Sequence, residues 1–257
     1  MQKSKIEWCD STWNPVTGCL QGCKYCYARR IAERFGGCDH PTESRELSYP
    51  LTITRQTGKA GDSPYPFGFE PTFHRYRLEE PPRRGKPQNI FVCSMADLFG
   101  SWVPMRWTVD VLNACLAAPQ HRYLFLTKNP GRYLELDKLA LLPHHDNFWY
   151  GSTVTDAKSL AMYQVMYKED DERINSFWSM EPLLGPVDIK KADGFPKWVI
   201  LGAMTGPGAK EHLPARKWVE EIVDTCQWEG IPVFMKDSLV PVWRGDLIRQ
   251  FPWGDAP

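Results

Sequence analysis

The sequence predicts an α/β fold, specifically a partial or complete β/α barrel of the TIM type with six or seven parallel strands and a long irregular insertion after the first helix. Three observations carry this expectation. From about residue 88 onward, short apolar runs alternate with longer helical patterns, which is the serial order of parallel strands and crossover helices. The chain has 257 residues, a length at which one α/β barrel domain is often found. And residues 38–87, rich in Pro, Gly and charge, separate the first strand–helix unit from the rest. A single domain spanning residues 1–257 is therefore expected.

The elements follow in order. Residues 12–17 (TWNPVT) form the first strand or its lead-in, and residues 24–35 (KYCYARRIAERF) form a helix. Tyr27, Ile31 and Phe35 are spaced by four and make one apolar face, and Gly36-Gly37 stops the helix. The insertion at 38–87 follows. Fifty residues without a clear element are unusual in a compact domain, so this stretch is expected to cover the active-site face. Residues 89–93, 122–127, 148–154, 174–180, 198–201 and 231–235 are short, rich in branched or aromatic side chains, and bounded by polar, Gly or Pro residues. These are the marks of buried parallel strands. Helices are expected at 106–118, 131–142, 155–168 and 214–229.

Composition narrows the function classes. With 31 basic and 31 acidic residues the formal net charge is zero. A protein that grips nucleic acid through its phosphates shows a basic excess. A local patch of Arg75, Arg77, Arg83, Arg84 and Lys86 is diluted by Glu79 and Glu80, so nucleic-acid binding is permitted but not indicated. The sequence shows no signal peptide and no apolar run of membrane-spanning length, and a soluble, cytoplasmic protein without a membrane partner is expected. Eight cysteines in a chain of this kind fit metal-binding thiolates in a reducing compartment better than a secreted disulfide framework.

The decisive segment is residues 17–27, TGCLQGCKYCY. Cys19, Cys23 and Cys26 lie on one tight loop that opens a helix, and thiolate sulfur is the preferred soft ligand for iron–sulfur clusters or zinc. Gly18 and Gly22 let the backbone wrap closely. Three ligands leave one iron of a [4Fe–4S] cluster open to a small molecule. A closed zinc site needs a fourth ligand, for which Cys9, Cys38 and His40 are the candidates.

The run from Cys19 to Cys26 matches the CxxxCx(aromatic)C pattern of the radical S-adenosylmethionine (radical SAM) superfamily, with Tyr25 at the aromatic position. The longer phrase from Trp13 through Ala28, with Arg34-Phe35 after it, resembles the phage Gp37/Gp68-type radical SAM-like family. Further echoes lie in residues 94–99 (SMADLF), 126–128 (LTK), 179–185 (SMEPLLG) and 206–208 (GPG). The resemblance implies that Cys19, Cys23 and Cys26 hold three irons of a [4Fe–4S] cluster whose fourth iron chelates S-adenosylmethionine. One electron then cleaves the sulfonium and yields a 5′-deoxyadenosyl radical that takes hydrogen from a substrate. It also implies an electron donor such as flavodoxin or ferredoxin.

Candidate partners for this chemistry sit just after the predicted strands. Ser94 and Asp97 follow the second strand. The Gly-Gly-Glu segment common in radical SAM proteins is absent there, so Asp97 is read either as a ligand of SAM or substrate or as a loop hydrogen-bonder. Lys128 ends the third strand and can meet an anion. Ser152, Thr153 and Thr155 end the fourth, where Thr155 can also cap the next helix. Glu181 stands before Pro182 in a constrained backbone, and Gly202 permits close approach to a ligand. Catalytic roles are thus expected for Asp97, Lys128 and Glu181, and cofactor contacts for Tyr25, Ser94, Ser152, Thr155 and Gly202. Lys236 and Asp237 are a weaker pair, read first as a salt bridge. Cys93, inside an apolar strand, reads as a buried thiol. Two other readings stay open: SAM-dependent group transfer on the same fold, and a zinc- or cluster-stabilised nucleic-acid-binding module without catalysis. The substrate is not legible.

Overall fold

A computed structural model describes residues 1–36, 45–54, 60–163 and 173–254. The chain divides into two compact units: Met1–Arg132 with Leu136–Pro143, and Tyr133–Glu135 with His144–Pro257.

The first unit begins with β1 (Gln2–Lys3), β2 (Ser11–Trp13), β3 (Val16–Thr17) and α1 (Tyr27–Phe35). It continues with β4 (Glu46–Leu47), β5 (Thr52–Thr54), β6 (Ala60–Asp62), β7 (Thr72–His74), β8 (Asn89–Val92), α2 (Met105–Leu116) and β9 (Arg122–Thr127). Strands β2, β8 and β9 are parallel neighbours, with the two-residue β1 antiparallel on the free side of β2. All four residues of β8 are buried, as expected of a strand covered on both faces. Helix α2 buries Trp107, Val111, Leu112 and Cys115, a stripe at helical period that the apolar pattern anticipated.

The second unit follows α3 (Gly131–Lys138) and contains β10 (Phe148–Thr153), α4 (Ala157–Tyr163), β11 (Asn175–Met180), β12 (Val199–Leu201), α5 (Arg216–Trp228) and β13 (Val233–Met235). Its four strands are parallel in sequence order. On one face Trp178, Val199 and Val233 align in register and join Val219, Ile222, Val223 and Cys226 of α5 in one apolar core. On the other face Trp149, Phe177, Trp198 and Phe234 pack with Phe251 and Trp253 near the C-terminus. Gly151 is required there, because a Cβ would come within 2.1 Å of the Phe177 ring.

The predicted β/α barrel, partial or complete, is not what forms. The strand order is β1-β2-β8-β9 in the first unit and β10-β11-β12-β13 in the second, an open series in which only β1 runs antiparallel to its neighbour. Closure requires matched tilt and stagger around a whole ring, and neither quantity leaves a mark on local periodicity. The expected insertion is also more regular than its composition suggests. Among its described residues, β4, β7 and the earlier β3 make a three-stranded sheet, and β5 pairs with β6. Part of the helix expected at 155–168 lies outside the described residues. No helix among those described is long and apolar enough to cross a membrane.

Helix α1 turns the expected way in sequence but not in space. Its buried residues are Ala28 and Ala32, which pack against Phe69 and Met95, while Tyr27, Ile31 and Phe35 are exposed. Small side chains let the helix backbone approach closely, and that contact outcompetes the larger apolar stripe.

His74 of β7 is fully buried, with Nε2 2.8 Å from Thr17 Oγ1 and Nδ1 3.3 Å from the Tyr76 hydroxyl. Burial, helped by the Arg77 charge, pushes the imidazole from 6.5 down to about 2. The folded state therefore keeps His74 neutral while the unfolded chain protonates it. Stability from this source is complete above about pH 6.5 and falls as the pH drops toward 2. The expected slope is about 1.4 kcal/mol per pH unit per proton. Urea midpoints of wild type and His74→Gln between pH 7.5 and 4.5 check this: the variant is less stable at pH 7.5 but loses less on acidification, and equal slopes would remove His74 as the cause.

Candidate functional site

The cysteine loop is held from both sides by backbone. The Gly18 N–H donates to the Met95 carbonyl and the Cys19 N–H to the Phe69 carbonyl. Gly18 has φ +86°, and a Cβ there would lie 2.2 Å from the Glu70 carbonyl oxygen. Only glycine fits this crossing. Gly22 also has positive φ, +72°, but open space around it. Beyond it the Cys26 N–H returns to the Cys23 carbonyl, and Cys26 becomes the N-cap of α1, its Sγ accepting the Arg29 N–H at 3.3 Å. Cys19 Sγ likewise accepts the Gln21 N–H at 3.4 Å. Arg29 ties the loop shut: its guanidinium donates to the Cys19 carbonyl and lies over the Phe69 ring.

All three thiols are half-buried. Cys19 is pushed up from 9.0 to about 11, first by desolvation, against the pull of the Gln21 N–H, and further by the charges of Asp97, Cys23 and Cys26. Alone, such a thiol is protonated at neutral pH and a poor nucleophile. A cationic centre reverses that balance, because a coordinating thiol is deprotonated outright. The donor set, three soft sulfurs on one loop, is of the chemistry that suits an iron–sulfur or zinc centre. Among the described residues, however, no group of three or more His, Cys, Asp or Glu side chains is gathered to hold a metal ion. The three thiols share a loop and an electrostatic neighbourhood rather than a preassembled site.

The loop after β8 supplies the other wall. Cys93 adopts φ +58° and starts a turn that ends at Ala96. Asn14, which the sequence reading passed over, organises this turn. Its Oδ1 accepts from both Ser94 Oγ and the Met95 N–H, and its carbonyl accepts from Arg77. The Ser94 carbonyl accepts from the Tyr27 hydroxyl at 2.7 Å. Asp97 is buried and accepts three bonds: Thr127 Oγ1 at 2.6 Å and the Phe99 N–H on Oδ1, and the Lys128 N–H at 2.9 Å on Oδ2. Burial raises its pKa, and these bonds pull it back. The carboxylate therefore fastens the end of β9, and the Lys128 ammonium comes to lie 5.8 Å from the Tyr25 ring centroid, within cation–π range. Cys19, Cys23, Cys26, Tyr25, Ser94, Asp97 and Lys128 thus belong to one neighbourhood of the first unit.

The remaining candidates end strands of the second unit. Glu181 follows β11 and is ion-paired with Lys236, which follows β13. Gly202, between them at the end of β12, makes room for the pair: a Cβ would lie 3.0 Å from Glu181 Cγ and 3.3 Å from Lys236 Cδ. Asp237 pairs instead with Arg249. Ser152 is fully buried, with no partner for its hydroxyl. It is aligned with Trp178 and so faces the apolar core packed on α5, not the strand ends. The Thr155 N–H donates to Ser159, whose hydroxyl also bonds Asp156; Asp156 and Ser159 hold the start of α4. Of the sequence candidates, Glu181 and Gly202 meet, with Lys236 added; Ser152 does not join them. Cys9 bonds Ser4 near the N-terminus. Cys38 and His40, the other candidates for a fourth metal ligand, lie outside the described residues.

A family model described as "Protein of unknown function (DUF5131)" matches residues 3–240. No curated protein and no solved structure matches the chain.

The Gly18 crossing makes a sharp prediction. Gly18→Ala meets both a left-handed backbone and a carbonyl wall, and is expected to cost about 3 kcal/mol or more. Gly22→Ala meets only the backbone strain, about 1 kcal/mol. Urea unfolding of the two variants measures the difference, and equal losses would show that the crossing does not hold the loop.

Proposed function

We propose that this chain, which belongs to the DUF5131 family, is a radical SAM enzyme that carries one [4Fe–4S] cluster on Cys19, Cys23 and Cys26. The observation that carries the reading is the cysteine loop itself: three thiols on a glycine-hinged turn, with backbone N–H groups donating to two of the sulfurs and a conformation clamped by Arg29. When bound, the cluster and SAM supply one-electron cleavage of the sulfonium, giving methionine and an adenosyl radical that abstracts hydrogen from the substrate.

The protein's own part is positioning and charge. Gln21 and Arg29 N–H groups orient Cys19 and Cys26 sulfur and offset its negative charge. Lys128, set in place through Asp97, offers a cation to the carboxylate of SAM or to an anionic substrate. Asp97 has three of its acceptor positions filled by protein donors, so its role in this reading is to position Lys128. Tyr27 fixes the turn at Ser94. The Glu181–Lys236 pair offers a carboxylate and an ammonium beside Gly202, suited to hydroxyl and carboxylate groups of SAM or substrate. The seven cysteines among the described residues are free thiols, which suits a reducing, cytoplasmic setting.

Anaerobic reconstitution tests the reading. Protein loaded with iron and sulfide is expected to be brown, with about four Fe and four sulfide per chain for one [4Fe–4S] cluster. With dithionite and SAM it should form 5′-deoxyadenosine, and Cys23→Ala should lose at least about a hundredfold of that activity. A colourless protein that takes up zinc and binds no SAM overturns the reading in favour of a zinc-stabilised module. An intact cluster that binds SAM and transfers a methyl group without 5′-deoxyadenosine points to group transfer.

A further inference from the structure

Helix α1 carries an outward apolar face that, among the described residues, is not packed into the core, although the Tyr27 hydroxyl at its start bonds the Ser94 carbonyl. It packs inward through Ala28 and Ala32. Outward, Tyr27, Ile31 and Phe35 follow one another at intervals of four and are 44%, 37% and 50% exposed, and Leu20 on the cysteine loop is 51% exposed. Apolar groups aligned this way beside a candidate site mark an interaction surface more often than they mark chance exposure. Lys24, Arg30 and Arg34 are exposed along the same helix and its approach. Among the described residues no carboxylate pairs with any of these three. Glu33, the one acid on the helix, is paired with Arg29. In a chain of zero net charge, this is a local excess of positive charge.

An apolar stripe rimmed by cations is complementary to a protein face that is apolar at its centre and acidic at its edge. Single-stranded nucleic acid fits less well, because only Tyr27 and Phe35 offer a ring on which bases could stack, while Leu20 and Ile31 between and beside them are aliphatic. The helix also starts on a thiol of the candidate centre, since Cys26 is its N-cap, and its nine residues extend only about 13 Å from there. A protein seated on this face is therefore brought beside the three thiols.

We propose that the exposed face of α1, centred on Tyr27, Ile31 and Phe35 and rimmed by Lys24, Arg30 and Arg34, is the docking surface for an acidic one-electron carrier protein. The inference rests on the radical SAM reading for the carrier's purpose. In the transfer the carrier is oxidised by one electron and the centre on Cys19, Cys23 and Cys26 is reduced by one, with no bond made or broken.

The test uses flavodoxin, an acidic one-electron carrier, and the double variant Arg30→Glu/Arg34→Glu, with Ile31→Ser as a second variant that keeps the charge. Circular dichroism and cluster absorbance verify folding and loading. Calorimetry at low salt is expected to show wild-type binding that weakens steeply as salt rises. The charge-reversed variant should bind at least tenfold more weakly, and Ile31→Ser several-fold more weakly without changing the salt dependence. Formation of 5′-deoxyadenosine driven by reduced flavodoxin should fall in parallel, while turnover driven by dithionite stays the same. Equal binding by wild type and both variants overturns the docking surface, and so does an oligonucleotide that binds these residues where flavodoxin does not. Loss of flavodoxin binding in the variants, with no 5′-deoxyadenosine from wild type under dithionite, keeps the surface and sinks the radical reading instead.

Discussion

The backbone crossing at Gly18 is the constraint on which the candidate site depends. At that one residue the chain leaves β3, donates to the Met95 carbonyl, and passes within a side-chain's width of Glu70. Any Cβ there would drive into the backbone of Phe69 and Glu70. Because the crossing is tight, Cys19 inherits a fixed start. Because Cys26 caps α1, the loop has a fixed end. The positions of Cys19 and Cys26 are set by backbone hydrogen bonds and one glycine, with the sulfurs themselves left half-exposed. On the proposed reading that division suits a ligand loop: conformational entropy would be removed before a metal arrives, while the donor residues stay accessible.

Around this crossing the first unit concentrates buried polar groups and satisfies nearly all of those that matter to it. Asp97 is fully buried and would be expensive if unpaired, yet it accepts from Thr127, Phe99 and Lys128. Asn14 takes two donors on one oxygen. His74 stays neutral between Thr17 and Tyr76. Such networks are costly when half-made and rigid when complete. Their members tie the ends of β8 and β9 and the start of the cysteine loop into one piece, so a displaced loop would have to break several buried bonds at once. A site of the proposed kind, with three thiols for one centre, would benefit from that rigidity.

How much of this was legible in the residues depends on the range of the physics involved. The strand at Arg122–Thr127 is legible to the residue, and the other runs after residue 88 to within one or two, because burial on both faces writes itself into a local run of branched and aromatic side chains. The run at 12–17 is not: it divides into Ser11–Trp13 and Val16–Thr17, which join different sheets. The cysteine spacing is a local pattern too, and its loop opens a helix as expected. Closure is not legible. The serial β/α order is common to barrels and open sheets, and what separates them is a long-range match of tilt and stagger. The strands of residues 45–87 are two or three residues long, too short for a period to show. The face of α1 is not legible from apolar size, because two alanines and close backbone approach decide the packing. Asn14 is invisible for a different reason: nothing about an isolated Asn before Pro says that the Ser94 hydroxyl and the Met95 N–H will both donate to its side-chain oxygen.

The second unit shows the same logic at strand ends. Its parallel strands finish at neighbouring points, where crevices of α/β sheets take ligands, and there the sequence places Glu181, Gly202 and Lys236 in adjacent positions. An ammonium and a carboxylate so placed would neutralise each other and need no ligand if the pair were all that mattered. The residue between them adds a second constraint. A methyl at Gly202 would press on the stems of both partners, so glycine is what lets the pair pack close against the strand end, with side chains only 13% and 23% exposed. A largely desolvated pair is costly to hold unless its spare donors and acceptors are met, and the ligand groups proposed for this site would meet them.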